Sequence, residues 1–105
     1  DDMARASIHL MNIDKKTFDK HTSSMCSHIN VGGGEDISIK ELSETIKEVV
    51  GFKGKIKFDL SKPDGTLKKL LDSKRIKKFG FKSEISLKKG LIRTYQNYIK
   101  NYANI

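Results

Sequence analysis

The apolar residues of this chain recur at helical spacing in four stretches, and elsewhere they occur only in short runs. The most regular stretch places Ile39, Leu42 and Ile46 at intervals of three and four residues. Ser38 opens an S-x-x-E capping-box pattern just before this stretch, and Gly51 supplies a stop after it. The pattern therefore predicts a helix between Ser38 and Gly51.

Three more helices are predicted in the same way. The first begins at Asp2 and carries apolar residues as far as position 13. Another begins at Asp72 or Ser73, and the last is capped by Ser86. Residues 14–27 are polar apart from a few positions and are interpreted as a loop or a frayed helix end.

Short apolar or alternating runs between these helices favour strands. Residues 29–31 run into three glycines, residues 55–60 alternate polar and apolar, and residues 67–71 could form another extended stretch. Such strands are too few and too short for a self-sufficient sheet. The predicted fold class is an α+β lobe, with about four helices and two or three short strands, that buries part of its apolar surface against another domain.

The size of the chain limits what it can contain. Its 105 residues make one small domain and are too few for a dinucleotide-binding fold with its own substrate cap. The chain begins without Met, inside a helical pattern, so we expect it to be part of a longer protein. The single cysteine, Cys26, and the lack of a signal-peptide pattern favour a cytoplasmic setting.

Charge is distributed unevenly along the chain. The net charge is +8, but residues 1–51 hold six basic and nine acidic residues, whereas residues 52–105 hold fifteen basic and four acidic residues. The second half therefore favours anionic partners such as a phosphorylated metabolite, nucleic acid or an anionic membrane surface. A solvated lysine-rich surface explains the same surplus equally well.

No residue pattern indicates a metal site or a catalytic group. The three histidines and Cys26 lack ligand spacing, apart from Cys26 and His28, which lie two residues apart. Glycines 32–34 precede a helix as in a phosphate-binding loop, but Glu35 and Asp36 would repel a phosphate there. We interpret the glycines as a turn and His28 as a structural residue.

Six lysines lie between positions 53 and 69. On a strand, Lys53, Lys55 and Lys57 would share one face, beside Lys62. Ammonium groups grouped in this way can form charge-assisted bonds to phosphate, which would make a diphosphate or nucleotide contact surface. A solvated strand face is the alternative.

Several strings of the sequence resemble one enzyme family. They are DLSKPDGTLKKLLDSKRIKKFGF (59–81), SHINVGGG (27–34), and EISLKKGLIRTYQNYI (84–99). In order and spacing they resemble the C-terminal substrate-binding lobe of the GDP-L-fucose synthase family, within the extended short-chain dehydrogenases/reductases. The resemblance covers effectively the whole chain.

This resemblance implies an NADPH-dependent oxidoreductase and isomerase that epimerises GDP-4-keto-6-deoxy-D-mannose at C3 and C5 and then reduces the C4 ketone. It also implies that the catalytic residues and the NADPH-binding Rossmann domain precede this segment, so no catalytic or cofactor-binding residue is expected here. The segment alone is expected to be inactive, and the full-length enzyme is expected to be a homodimer.

The resemblance also implies four substrate-binding residues. Lys55 and Lys69 match basic residues near the GDP part of the substrate. By analogy, Lys62 is expected near the diphosphate, and Asp64 near the ribose or as the residue that orders the turn. Because Lys55 stands where the family often has Arg, the bidentate fork of a guanidinium is lost.

A free-standing basic module that binds RNA or another polyanion is the alternative function. It rests on the basic second half and on Tyr95, Tyr98 and Tyr102. Their spacing of three and four residues suits a packed helix face better than a row of base-stacking platforms. We therefore expect a GDP-sugar, and neither nucleic acid nor a membrane, as the partner.

Overall fold

The structure, a computed structural model, describes residues 1–102. Within that range the chain forms two compact units: residues 1–35 with 70–85, called the first unit, and residues 36–69 with those from Ser86 onward, called the second unit. The helices are α1 (Asp2–Met11), α2 (Lys15–His21), α3 (Ile39–Val50), α4 (Lys74–Lys78) and α5 (Leu87–Tyr102).

The predicted α+β fold class is wrong, because residues 1–102 contain helices and no β-strand. Their one pair of bridged residues is the isolated contact between Ser23 and Cys26. An apolar or alternating run becomes a strand only where a second backbone segment pairs with its N–H and C=O groups. None of the three predicted strands has such a ladder within the described residues.

Around the segment predicted as the first strand, the tertiary hydrogen bonds join side chains to backbone carbonyl groups. The Arg75 guanidinium donates hydrogen bonds to the carbonyl oxygens of Cys26 (2.9 Å) and His28 (2.6 Å). The Asn30 amide donates to the carbonyl oxygen of Asp72 at 3.3 Å. The carbonyl groups just before residues 29–31 are thus bonded to a side chain, and Ile29 and Val31 themselves are half-buried.

The core of the first unit is small and draws on three stretches of the chain. Ala6 of α1, Ile76 of α4 and Phe81 are buried together. Leu10, Ile29 and Val31 are partly buried and pack against them. Ile29 and Val31 therefore contribute to this core from irregular chain and not from the strand predicted for them.

Helix α2 lies where the sequence predicted a loop or a frayed end. Asp14 caps it, because the Asp14 carboxylate accepts hydrogen bonds from the Thr17 amide (2.9 Å) and the Thr17 hydroxyl (2.7 Å). These bonds hold the pKa of Asp14 below its ordinary value of 3.8. The Phe18 ring then stacks on Phe79, with 5.9 Å between ring centroids, so both a cap and a tertiary contact stabilise this short helix.

The first turn of α1 is tied to the end of the first unit by Asp2. Its carboxylate accepts hydrogen bonds at 2.9 Å from the backbone N–H groups of Glu84 and Ile85, and one of its oxygens pairs with Arg5 at 2.8 Å. The Ile85 amide, followed by the Glu84 amide and Arg5, lowers the pKa of Asp2 from its ordinary value of 3.8. Folding is therefore favoured by the charged form of Asp2.

We expect Asp2→Asn to lower the urea midpoint of the first unit at neutral pH. A carboxylate whose pKa is lower in the folded state stabilises that state above pH 3.8, and this contribution disappears as the pH falls through the lowered value. The gap between parent and variant is therefore expected to close at low pH. Urea unfolding at pH 7 and below pH 3 measures it, with Asp19→Asn as the exposed-carboxylate control; an unchanged gap at both pH values would contradict the assignment.

The second unit is built on the packing of α3 against α5. The capping box is confirmed: Ser38 Oγ accepts from the Glu41 amide at 3.1 Å, and the Glu41 carboxylate accepts from the Ser38 amide at 3.0 Å. Helix α3 ends at Gly51, whose φ of +73° lies in the left-handed region that favours glycine. Between the helices, Lys88 pairs with Glu48 at 2.7 Å.

None of the helices in residues 1–102 has the length and apolar character needed to cross a bilayer.

Candidate functional site

The segment that carries the predicted substrate-binding residues follows Gly51 and runs through residues 52–69 of the second unit. It forms neither helix nor strand, which corrects the strand predicted over residues 55–60. Lys53, Lys55 and Lys57 are all exposed, whereas Ile56 between them is half-buried. Of the apolar residues in the alternating run, only Ile56 is half-buried, whereas Phe58 and Leu60 are exposed, so the run has neither a β-ladder nor a buried face.

A local turn shapes the middle of this segment. The Asp59 carboxylate accepts hydrogen bonds from the Ser61 hydroxyl at 2.6 Å and from the Ser61 amide at 2.9 Å. The hydroxyl bond, followed by the amide bond, lowers the pKa of Asp59 from its ordinary value of 3.8. Asp59 is therefore bonded locally to Ser61, while Asp64 lies on irregular chain and makes no hydrogen bond or ion pair with residues 1–102.

All four predicted site residues stand on this segment with their side chains exposed. Lys55, Lys62 and Lys69 form no hydrogen bond or ion pair within the described part of the chain, so their ammonium groups point to solvent. The neighbouring Lys68 is instead paired with Asp36 at 3.8 Å. The arrangement offers free cations to an anionic ligand without enclosing it, and ionic strength will screen such contacts.

Two cavities of the second unit are formed without the four predicted site residues. One of about 380 Å³ lies between the end of α3 and the start of the segment, at Phe52 and Lys53. Between α3 and α5, a cavity of about 290 Å³ is almost wholly apolar, with Val50, Leu91 and Tyr95 among the residues that line it. The Tyr95 hydroxyl donates to the Val50 carbonyl at 3.4 Å, and Tyr98 lines the same groove. Of the three tyrosines predicted on a packed face of α5, only Tyr95 is half-buried; Tyr98 is 54% exposed, Tyr102 is 72% exposed, and their rings stack on each other.

A second candidate site, which the sequence did not reveal, lies in the first unit. It is a cavity of about 410 Å³, called the basic cavity below. Its walls are formed by His21, His28, Asn30, Asp72, Lys74, Arg75 and Lys78. Among the residues that line it, only the basic run on α4 stands out in the sequence. The two histidines lie far from α4 in the sequence and join the cavity only through tertiary contacts.

Cys26 and His9 are held by contacts within the first unit, whereas His28 is exposed and its ring makes no hydrogen bond with residues 1–102. Cys26 is half-buried and its Sγ accepts a hydrogen bond from Arg75 at 3.2 Å. A ring nitrogen of His9 lies 2.7 Å from the carbonyl oxygen of Phe79. Across residues 1–102 no three His, Cys, Asp or Glu side chains are grouped closely enough to hold a metal ion.

Several known proteins similar to this chain are named GDP-L-fucose synthase. A GDP-L-fucose synthase of Escherichia coli (strain K12) is 52% identical over 101 residues, which is 96% of this chain and 32% of that protein. The chain belongs, as a segment, to the GDP-L-fucose synthase family. GDP-L-fucose synthase 1 of Arabidopsis thaliana, another family member, is 41% identical over 99% of the chain and 29% of its own length.

The family likeness extends to an enzyme with a different named product. A GDP-L-colitose synthase of Yersinia pseudotuberculosis is 34% identical over 78% of the chain and 27% of its own length. The chain spans about a third or less of the length of each of these three relatives. No protein-family model matches it.

Proposed function

We propose that this chain is the GDP-sugar-binding, C-terminal segment of an NADPH-dependent epimerase-reductase that converts GDP-4-keto-6-deoxy-D-mannose into GDP-L-fucose. The observation that carries the proposal is the 52% identity over 96% of the chain to a protein named GDP-L-fucose synthase. Exposed leucines support a role as one part of a larger protein: Leu67 is fully exposed and Leu60 is 92% exposed.

In this proposal the segment's task is to bind and orient the nucleotide end of the substrate. Lys55 and Lys69 meet the GDP moiety, Lys62 meets the diphosphate, and Asp64, which has no partner among residues 1–102, accepts a hydrogen bond from the ribose. Their exposed, unpaired side chains support this assignment, because a cation not committed to a protein carboxylate is available to a phosphate.

The names of the relatives support the choice of the nucleotide end. Proteins named for L-fucose and for L-colitose both match the chain, and their printed names share GDP and an L-sugar. A segment common to both is expected to recognise the shared guanosine diphosphate rather than the features that distinguish the two sugars.

The described residues do not fit NADPH. A dinucleotide site uses a strand, a glycine-rich turn and a helix N-terminus, whereas here no strand precedes Gly32–Gly34, and Glu35 and Asp36 follow them. We therefore assign the NADPH site to the part of the enzyme outside this chain and, from the family resemblance, assign the epimerisation acid and base there too. We expect that enzyme to be a cytoplasmic homodimer.

A comparison of two protein samples tests the proposed function. The full-length protein that contains this segment is expected to oxidise NADPH, followed at 340 nm, when GDP-4-keto-6-deoxy-D-mannose is added. The 105-residue chain alone is expected to show no turnover but to bind GDP. Turnover by the isolated chain, or none by the full-length protein, would contradict the proposal.

A further inference from the structure

We propose that the basic cavity of the first unit is a binding site for a phosphate group, separate from the lysines of the second unit. The proposal does not rest on the proposed function, because the predicted GDP-sugar residues all belong to residues 36–69. It rests on the volume of the cavity, on the charges that line it and on the way its arginine is held.

The cavity has the size and lining of a small-molecule site. Its volume of about 410 Å³ lies within the roughly 300–1,000 Å³ that is typical of ligand pockets. Three cations (Lys74, Arg75 and Lys78) face one carboxylate, Asp72, and this leaves a net charge of +2 before the two histidines are counted. An anion is the ligand that this balance favours.

Arg75 is fixed in place before any ligand arrives. Its Nη1 donates to the carbonyl oxygens of Cys26 and His28, and its Nη2 donates to the Cys26 sulfur. A guanidinium carries five N–H donors, so the Nε–H and the second hydrogen of Nη2 remain for a ligand. Because the side chain is already ordered, a phosphate would meet it at little further cost in conformational entropy.

The remaining walls supply further donors. The ammonium groups of Lys74 and Lys78, and the ring nitrogens of His28, make no hydrogen bond with residues 1–102, and a neutral imidazole still carries one N–H. The two oxygens of Asp72 oppose an anion, but Oδ1 already accepts from the Lys74 amide at 2.9 Å. A phosphate is favoured over a carboxylate because it has more acceptor oxygens for these several donors.

Titration of the ¹⁵N-labelled chain with inorganic phosphate at constant ionic strength, followed by two-dimensional NMR, tests the site. We expect saturable shifts at residues 28–30 and 72–78 that sodium chloride does not reproduce. Lys78→Ala is expected to weaken binding about tenfold, the typical effect of losing a charge-assisted hydrogen bond. Lys77→Ala is the matched control, since Lys77 lies on the same helix but does not line the cavity.

The Asp72→Asn variant distinguishes an effect on phosphate binding from an effect on the local structure. The amide oxygen can keep the bond from the Lys74 amide while one opposing negative charge is removed, so phosphate is expected to bind about threefold more tightly.

Pyrophosphate and GDP titrations distinguish a free phosphate from a nucleotide as the source. Shifts equal to those of chloride, or equal losses in Lys77→Ala and Lys78→Ala, would overturn the proposal; a Lys55→Ala, Lys69→Ala double variant is expected to keep the site.

Discussion

Replacing Ile76 by alanine is expected to lower the free energy of unfolding of the first unit by about 2–5 kcal/mol. Ile76 is 2% exposed and belongs to the cluster formed with Ala6 and Phe81. The core of this unit is so small that few neighbours can move to fill the space left by the removed atoms. The loss therefore includes both the transfer free energy and a cavity term.

Ile8→Ala is the matched control for this experiment. Ile8 has the same side chain in the same unit but is 61% exposed, so its loss is expected to change stability by about 0.5 kcal/mol or less. Hydrogen exchange of the α1 amides reports the opening of this unit directly. Equal effects of the two substitutions would show that Ile76 does not anchor the first unit.

The helices could be predicted from the sequence because their signals are local. Ser38 and Glu41 lie three residues apart and satisfy each other within one turn, and Gly51 adopts the left-handed conformation that its position suggested. Helix α2 was not predicted, because its polar sequence has no apolar periodicity. The Asp14 cap was the one local signal of it in the sequence. Its Phe18 is held by Phe79, which lies 61 positions away and cannot be paired with it from spacing alone.

The strands were predicted wrongly because a β pattern describes side chains and not the pairing of backbones. Residues 55–60 alternate as a half-buried strand would, and Ile56 is indeed more buried than Lys55 and Lys57. Alternation without a partner segment leaves an irregular chain, since the N–H and C=O groups are then hydrated or bonded locally. The bond from Ser61 to Asp59 is such a local solution.

The two candidate sites differ in how far the sequence could reveal them. The resemblance to a family predicted the first site, which consists of Lys55, Lys62, Asp64 and Lys69. These side chains are exposed, and their contact with the GDP-sugar is a proposal. The basic cavity depends on Arg75 reaching the Cys26 and His28 carbonyls across 49 and 47 positions. Contacts of that range follow from tertiary packing, which no residue pattern along the chain encodes directly.

Lys55→Ala and Lys69→Ala in the full-length enzyme are each expected to raise KM for the GDP-sugar about tenfold. Each substitution removes one charge-assisted contact to the nucleotide, which is worth about 1.5–3 kcal/mol where it is formed. The KM for NADPH is expected to stay unchanged, because the described residues do not fit that cofactor. Steady-state kinetics with each substrate varied in turn measures both values.

Two further variants make this test specific to position and geometry. Lys57→Ala removes an equally exposed lysine of the same segment that the family resemblance does not mark, so its KM is expected to match that of the parent enzyme. Lys55→Arg introduces a planar fork that can bond a phosphate through two N–H groups, so it is expected to lower KM for the GDP-sugar. If Lys57→Ala raised KM for the GDP-sugar as much as Lys55→Ala, the segment would attract the nucleotide only through its overall positive charge. No single lysine on it would then make a specific contact with the nucleotide.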